Sequence, residues 1–269
     1  MTTVFDQIIA GVREDVAARE AVVSFQDIKA MSRSVPAPRD ALAALKVPGC
    51  AVIAEIKRAT PAKGEIARID SAASLAQAFE MGGAAMIGCQ TERRRFKGSL
   101  EDLAAVKKAV QVPVMCKDFI VDPYQIHEAR YFGADMVPLL VSALDPSHMA
   151  SLLDRIQSLG MVALVEVQSP EEASLAVDAG ARVIGVNARN LRTMTLNREA
   201  FADIAPGLPR EVVKIALSGV RTARDLMAYA GAGADAVVIG EELVTASQPA
   251  SLCRQLVAAG QHPACPSSF

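Results

Sequence analysis

Four charged residues of this 269-residue chain follow or interrupt short apolar runs, where their side chains could do acid–base chemistry. Lys117 and Glu166 each end such a run, and Glu55 and Lys57 are two residues apart near the end of another. In an extended strand, residues two apart share a face, so Glu55 and Lys57 would stand together. An ammonium group among carboxylates is suited to proton transfer. The same residues could also form a structural ion pair or the solvated ends of strands, and their positions alone leave both interpretations open.

A second set of residues is suited to holding an anion. Asn187 and Arg189 are two residues apart after another apolar run, and an amide with a guanidinium group can bind a carboxylate or phosphate. Ser218-Gly219 and Gly240-Glu241 each follow a further run, and glycine there lets backbone N–H groups approach a phosphate. Glycine is also common in plain turns, and arginine on surfaces. These two glycine-containing dipeptides follow the last two runs, and their joint placement there favours a phosphate site.

Eight short apolar runs position these residues, and they alternate with segments of helix length. This rhythm predicts an α/β fold, a (β/α)8 TIM barrel, in which chemistry collects at the carboxyl ends of the strands. A doubly wound open sheet is the alternative, but it usually has a glycine-rich turn after its first strand, and residues 55–63 contain no glycine. The predicted strands are residues 51–56, 84–89, 112–116, 135–140, 161–165, 182–186, 212–217 and 236–239, and helices are predicted to begin near Ser71, Ser99, Pro123, Pro146, Pro170, Asn197, Thr222 and Pro249.

Composition limits the classes of function. Hydrophobic residues make up 51% of the chain, which is consistent with a single barrel domain over residues 1–269, with an N-terminal helical extension at 1–50 and the barrel at 51–260. A net charge of −2 argues against nucleic-acid binding. Charged residues throughout the first twenty positions predict an amphipathic helix, capped by Thr3 and Asp6, instead of a membrane span or signal peptide. For residues 22–50 we predict a connecting segment with a short helix before the first strand.

The cysteines and histidines suggest no metal chemistry. The five cysteines are odd in number and lack the close pairing of a zinc site or redox motif, so we expect reduced thiols in the cytoplasm. The three histidines fall in predicted helices or in the C-terminal tail, away from strand ends. We therefore expect no metal ion and no cofactor, and a small anionic phosphorylated molecule as the partner.

Five motifs together resemble the indole-3-glycerol-phosphate synthases, a family of tryptophan-pathway barrels with an extra N-terminal helix. They are AEIKRATPAKG at residues 54–64, KDFI at 117–120, LVEV at 164–167, GVNARNL at 185–191 and Ser218-Gly219, and their order and spacing match the family over nearly the whole chain. The resemblance implies a cofactor-free closure of 1-(2-carboxyphenylamino)-1-deoxyribulose 5-phosphate to indole-3-glycerol phosphate, with loss of CO2 and water.

The resemblance also implies roles for individual residues. Lys117 would be the general acid and Glu166 a second acid/base group, with Lys57 and Glu55 positioning the substrate. Burial beside other cations would lower the pKa of Lys117, whereas Glu166 would favour its charged form, and the sequence leaves open which influence is larger. Asn187 and Arg189 would hold the substrate carboxylate. The remaining implied contacts are Phe119, Gln90 and Leu217 with the substrate, and Thr60, Ser218, Gly219, Gly240 and Glu241 with its phosphate.

Three positions depart from the family pattern. Leu217 replaces a glutamate thought to take part in catalysis, Gln90 replaces an apolar residue expected to touch the aromatic ring, and Pro138 lies in a predicted strand, where proline removes a backbone donor. Two alternatives follow: a divergent paralogue with reduced activity or an altered substrate, or a non-catalytic protein that binds a phosphorylated ligand. A different phosphate-binding barrel, phosphoribosylanthranilate isomerase, fits the motifs less well. We expect a monomer or a weak homodimer and no association with membranes.

Overall fold

Eight parallel strands close into a barrel in the computed structural model, which describes residues 2–266. The barrel strands are β1 (Ala51–Ile56), β4 (Met86–Gln90), β5 (Val114–Lys117), β6 (Met136–Leu140), β7 (Val162–Val167), β8 (Val183–Asn187), β9 (Val213–Leu217) and β10 (Ala236–Ile239), and β2 (Ala59–Thr60) pairs with β3 (Gly64–Glu65) in a separate hairpin. Around the barrel the order is β1-β10-β9-β8-β7-β6-β5-β4, so chain neighbours are spatial neighbours and the circle closes between β4 and β1. The closed circle confirms the (β/α)8 barrel over the open sheet.

The strands are apolar on both faces because both faces are buried. Inward-facing residues such as Ile53, Met115 and Leu164 fill the barrel interior, while residues between them, such as Val52 and Cys116, pack against the surrounding helices. A strand covered on both sides has no reason to alternate polar with apolar residues. Polar residues consequently occur only near the two ends of the strands.

Helices surround the barrel, and most begin at a capping residue. Ser71, Ser99 and Ser169, for example, accept hydrogen bonds from backbone N–H groups in the first turn of the helix that follows. The barrel helices are α4 (Ala72–Met81), α5 (Leu100–Ala109), α6 (Pro123–Tyr131), α7 (Pro146–Ser158), α8 (Pro170–Asp178), α9 (Ala200–Ile204), α10 (Ala223–Gly231), α11 (Glu241–Thr245) and α12 (Pro249–Gly260), with short 3-10 helices at Val141–Ala143 and Ala205–Gly207.

A repeated Gly-Ala-Asp sequence fixes two strand starts at the amino end of the barrel. Asp135 donates its N–H to the Val114 carbonyl oxygen at 2.8 Å, and its buried carboxylate accepts the Val114 N–H at 2.7 Å. Asp235 makes the same two contacts with Lys214, at 2.8 and 2.7 Å. The Lys107 ammonium lies 2.6 Å from Asp135 Oδ1 and balances its charge. At this end of the barrel the buried polar residues therefore make structural contacts.

The N-terminal extension contains three helices, α1 (Val4–Glu20), α2 (Phe25–Ser34) and α3 (Ala41–Leu45). The predicted cap of α1 is confirmed, because Thr3 and Asp6 bond reciprocally to each other's backbone N–H. Arg19 of α1 pairs with the Glu128 carboxylate of α6 at 2.8 Å, and Ser32 of α2 bonds to the buried ring of His127 at 2.8 Å. Residues 22–50 thus form two helices where we predicted one.

The eight strands lie within two residues of their predicted bounds, with three local differences. The hairpin of β2 and β3 was not predicted, and α9 begins at Ala200, three residues later than expected. No bulge absorbs Pro138 on its β7 side, where β6 runs in continuous register from Met136 to Leu140. The β5–β6 register is confined to Met136, so Pro138 lies beyond that ladder and its missing N–H donor costs little.

Two further findings concern the described residues. All five cysteines, Cys50, Cys89, Cys116, Cys253 and Cys265, are free and buried. None of the helices within residues 2–266 combines the length and the apolar character that crossing a membrane would require.

Candidate active site

A cavity of about 340 Å³ opens at the carboxyl end of the barrel strands. Its size falls in the range of small-molecule sites. All fourteen residues predicted for the site line this one cavity: Glu55, Lys57, Thr60, Gln90, Lys117, Phe119, Glu166, Asn187, Arg189, Leu217, Ser218, Gly219, Gly240 and Glu241. The predicted convergence of the strand ends is therefore confirmed, while the role of each residue remains a proposal.

Two ion pairs occupy the floor of the cavity. The Lys117 ammonium of β5 pairs with Glu166 Oε1 of β7, and the side chains are only 15% and 4% exposed. The Lys57 ammonium lies 2.8 Å from Glu55 Oε2, as the shared strand face predicted. Each ammonium group thus has a carboxylate partner, and the four charges cancel.

The pKa of Lys117 answers the question that the sequence leaves open. Burial alone would lower this pKa, but the negative charges of Glu166 and Glu55, with the hydrogen bond to Glu166, outweigh burial and raise it above its ordinary value. Burial would likewise raise the pKa of Glu55, but the charges of Lys57 and Lys117 lower it overall. At neutral pH the cavity therefore holds a protonated Lys117 and an ionised Glu55.

A chain of hydrogen bonds continues from Glu166 across the next two strands. Asn187 Nδ2 of β8 donates to Glu166 Oε2 at 3.3 Å, and Ser218 Oγ, just after β9, donates to Asn187 Oδ1 at 3.0 Å. The Arg189 backbone N–H also donates to Asn187 Oδ1 at 3.0 Å. This network fixes the Glu166 carboxylate on the side facing Lys117.

Glycines leave room at the side of the cavity formed by β9, β10 and β1. Ser218 and Gly219 both have positive φ, at 67° and 87°, and a Cβ on Gly219 would lie 2.8 Å from Tyr229 Oη. A Cβ on Gly240 would collide with Glu55 Oε2 and approach Lys57 Nζ to 3.0 Å. The side chain of Glu241 is paired with Lys63, so its backbone is the part left for a ligand.

The opposite side of the cavity is aromatic and comes partly from elements outside the barrel. Phe119 follows β5, Phe96 lies in the loop after β4, and Phe5 belongs to α1, with ring centroids 6.0 and 6.2 Å from that of Phe119. Of these, only Phe119 was predicted. Phe5 and Ile8 of α1 both line the cavity, so the N-terminal helix covers part of this end of the barrel.

The loop that supplies Phe96 is tightly fixed. The buried Glu92 carboxylate accepts the backbone N–H groups of Arg94, Arg95 and Phe96 at 2.9, 2.7 and 2.8 Å. Arg94 pairs with Glu14 and Asp15 of α1. The arginines after β4 thus hold α1 over the cavity, and Phe96 is the residue of this loop that lines it.

Two of the departures lie in the cavity wall. Leu217 faces inward, is 3% exposed and packs over Gly185 together with Leu164. Gln90 also faces inward, at 6% exposure, beside Lys117 in the register of β4 and β5. The wall of β9 is therefore apolar where a carboxylate was expected, and the wall of β4 carries an amide where an apolar group was expected. Within residues 2–266, no three His, Cys, Asp or Glu side chains are arranged to hold a metal ion.

Comparison with known proteins gives a family for this cavity and its barrel. The sequence model of indole-3-glycerol phosphate synthase matches residues 5–256. The chain belongs to the indole-3-glycerol phosphate synthase family. A relative of that name from Mycolicibacterium gilvum is 60% identical over 98% of this chain and 97% of its own length. Another from Rhodococcus opacus is 59% identical, with 98% of each chain covered.

The solved structures add support for the barrel alone. Thiamine phosphate pyrophosphorylase from Pyrococcus furiosus matches with a TM-score of 0.61 at 14% identity, covering 78% of this chain and 94% of that one. At so low an identity the likeness shows a shared fold and carries no functional argument. The assignment of the chain to the synthase family rests on the family sequence model and on the relatives that match over nearly their full length.

Proposed function

We propose that this protein closes 1-(2-carboxyphenylamino)-1-deoxyribulose 5-phosphate to indole-3-glycerol phosphate, a lyase reaction of tryptophan biosynthesis. The observation that carries the proposal is the Lys117–Glu166 pair on the cavity floor, between an aromatic wall and a glycine-lined wall. The full-length relatives named indole-3-glycerol phosphate synthase support it.

The two walls suit the two ends of this substrate. The apolar wall of Phe5, Phe96 and Phe119 offers stacking and edge contacts to an aromatic ring. Asn187 and Arg189 line the cavity on the β8 side, where they would hold the ring carboxylate. Thr60, Ser218 and the open backbone at Gly219, Gly240 and Glu241 would surround the phosphate.

Lys117 supplies the proton that ring closure requires. As the ring carbon bearing the carboxylate attacks the ketone carbon, negative charge grows on the ketone oxygen. The Lys117 ammonium donates a proton to this oxygen, and its raised pKa keeps it charged at neutral pH. Loss of CO2 returns the bonding electrons to the ring. The Glu55–Lys57 pair would position the substrate beside this proton donor.

Glu166 would act in the second half of the reaction, the loss of water. Its carboxylate contacts both Lys117 and Asn187. It would accept the proton lost from the carbon beside nitrogen and give a proton to the departing hydroxyl group, which leaves as water. Solvent restores the Lys117 proton that was spent in ring closure. The new ring gains its second double bond as the proton beside nitrogen is lost. These steps consume no oxidant, and the proposed reaction uses no cofactor.

Leu217 favours a weaker version of this activity, or a second candidate function. With an apolar side chain at the end of β9, one proton-transfer group expected in the family is missing. Loss of such a group typically costs on the order of a hundredfold or more in rate. The second candidate is a paralogue with an altered substrate or, at the limit, a protein that binds the phosphorylated ligand without turning it over. We further propose a cytoplasmic location and a monomer or weak homodimer.

Incubation of the purified protein with the proposed substrate tests the function. The expected result is slow formation of indole-3-glycerol phosphate, detected by indole fluorescence and confirmed by mass, with one CO2 released per product. Turnover at the ordinary rate of the family would contradict the argument from Leu217. Saturable binding without product would instead support the non-catalytic candidate.

A further inference from the structure

One side chain in the cavity wall has a polar atom without a protein partner. Gln90 is 94% buried and lines the cavity at the end of β4. Among the residues that the structure describes, its Oε1 accepts no hydrogen bond, and it is the sole buried side-chain nitrogen or oxygen in that condition. A buried acceptor without a donor costs roughly 1 to 3 kcal/mol, so such an atom calls for an explanation.

The neighbouring ammonium groups are paired with carboxylates. In the register of the barrel, Gln90 lies beside Lys117, whose ammonium pairs with Glu166. On the other side of Gln90 is β1, and its Lys57 ammonium lies 2.8 Å from Glu55. Each ammonium is held at its carboxylate, and neither donates to Gln90 Oε1. The molecule that fills the cavity can therefore supply the missing donor.

The position of Gln90 indicates which end of that molecule it meets. Phe119 follows its neighbour Lys117 by two residues, and Phe96 follows Gln90 itself by six. Their rings form the aromatic wall with Phe5. In the strand order, β4 is diametrically opposite β8, which carries Asn187. Gln90 thus lies on the aromatic side of the cavity, across from the proposed carboxylate contact.

We infer that Gln90 is a specificity-determining residue whose Oε1 accepts a hydrogen bond from an N–H or O–H group at the aromatic end of the substrate. The inference rests on the proposed function for the identity of that substrate. The amide torsion of glutamine is soft, so the oxygen can turn toward a ligand at small cost. Two sources of the donor share this chemistry: the secondary amine that the proposed substrate always carries, and a hydroxyl or amino substituent on its ring.

Substitution of Gln90 by methionine, with a side chain of nearly the same length that cannot accept this bond well, separates binding from stability. Because Oε1 is unpartnered in the free protein, Gln90→Met should leave the melting temperature unchanged or raise it. It should also raise KM for the substrate whose donor it meets by about five- to tenfold, the size of one ordinary hydrogen bond. Gln157→Met, an equal change at an exposed site on α7, is the matched control and should alter neither quantity.

The assay uses two substrates, 1-(2-carboxyphenylamino)-1-deoxyribulose 5-phosphate and the same molecule with a hydroxyl group on the aromatic ring. A raised KM with both indicates the amine as the donor, and a raised KM with the hydroxylated substrate alone indicates the ring substituent. The inference is overturned if Gln90→Met leaves both KM values unchanged, or if it lowers the melting temperature as a core substitution would.

Binding without chemistry keeps this test separate from the proposed function. Calorimetric titration with the two substrates after reduction of their ketone to an alcohol measures the aromatic contact in molecules that cannot close the ring. Weaker binding by Gln90→Met with no turnover by the unaltered protein would support the inference while contradicting the proposed synthase activity. Unchanged binding with normal turnover would do the reverse.

Discussion

Replacing Glu166 with glutamine tests whether the Lys117–Glu166 pair is chemical as well as structural. The substitution keeps the size of the side chain and its contact with Asn187 but removes the charge that holds the Lys117 proton. Both partners are buried, and breaking a buried pair from one side costs about 3 to 5 kcal/mol of folding free energy. Loss of one acid/base group should also reduce kcat by about 10² to 10⁴.

The pH dependence gives the sharper result. Lys117 has a pKa raised above 10.5, so the unaltered protein should show no alkaline fall in kcat/KM from this group below about pH 10. Glu166→Gln removes the largest favourable influence on the ammonium and leaves burial, which lowers the pKa, opposed by Glu55. The pKa of Lys117 should drop, and the alkaline limb of kcat/KM should move to lower pH.

The free energy of unfolding should also depend less on alkaline pH in Glu166→Gln than in the unaltered protein. A raised lysine pKa contributes stability that is complete below the unfolded value of 10.5 and is lost as the pH rises through the folded value. This alkaline loss should shrink in Glu166→Gln, as measured by urea unfolding between pH 9 and 12. Asp135→Asn, which breaks the buried Lys107 pair at the other end of the barrel, should cost stability without moving the alkaline limb of kcat/KM. An unmoved limb in Glu166→Gln would refute the acid role assigned to the pair.

Three other substitutions give distinct outcomes. Leu217→Glu restores a carboxylate beside Asn187 in the register and should raise turnover about a hundredfold at some cost in melting temperature, whereas Leu217→Gln should not. Gly240→Ala pushes a methyl group into the Glu55–Lys57 pair and should lower kcat/KM at least tenfold; Gly231→Ala, which meets open space, should leave it unchanged. Burial lowers the pKa of His127 to about 4, so stability should be full above pH 6.5 and fall as the pH drops toward 4. Urea midpoints at pH 7 and 5 should show this fall, and His127→Gln should reduce it.

The barrel could be predicted from sequence because its signals are local and repeated. Apolar runs of four to six residues mark the strands, since both faces of each strand are buried. Serine, threonine and aspartate mark the helix starts because their side chains accept hydrogen bonds from the first backbone N–H groups. Proline marks them because it has no backbone N–H that would need a partner there. The exceptions are weak local signals: β2 and β3 have two residues each, and α9 begins without a side-chain cap.

The polar half of the site could also be predicted, because strand ends in a parallel barrel must meet at one rim. Of the aromatic half only Phe119 could be predicted, since Phe5 and Phe96 reach the cavity through contacts of the N-terminal helix and of a loop, and sequence spacing does not encode such contacts. The sign of the Lys117 pKa shift likewise needed the structure. It depends on a balance between burial and two carboxylates contributed by β1 and β7.

The most direct test of the account is to compare Lys117→Met with the unaltered protein in turnover and in binding. In the proposed mechanism the Lys117 ammonium is the proton donor for ring closure, so its loss should reduce kcat by about 10² to 10⁴ while the ketone-reduced substrate still binds within about tenfold of its original affinity. Equal turnover by the two proteins would contradict the central claim, because the reaction would then proceed without the one ammonium that the barrel buries against Glu166.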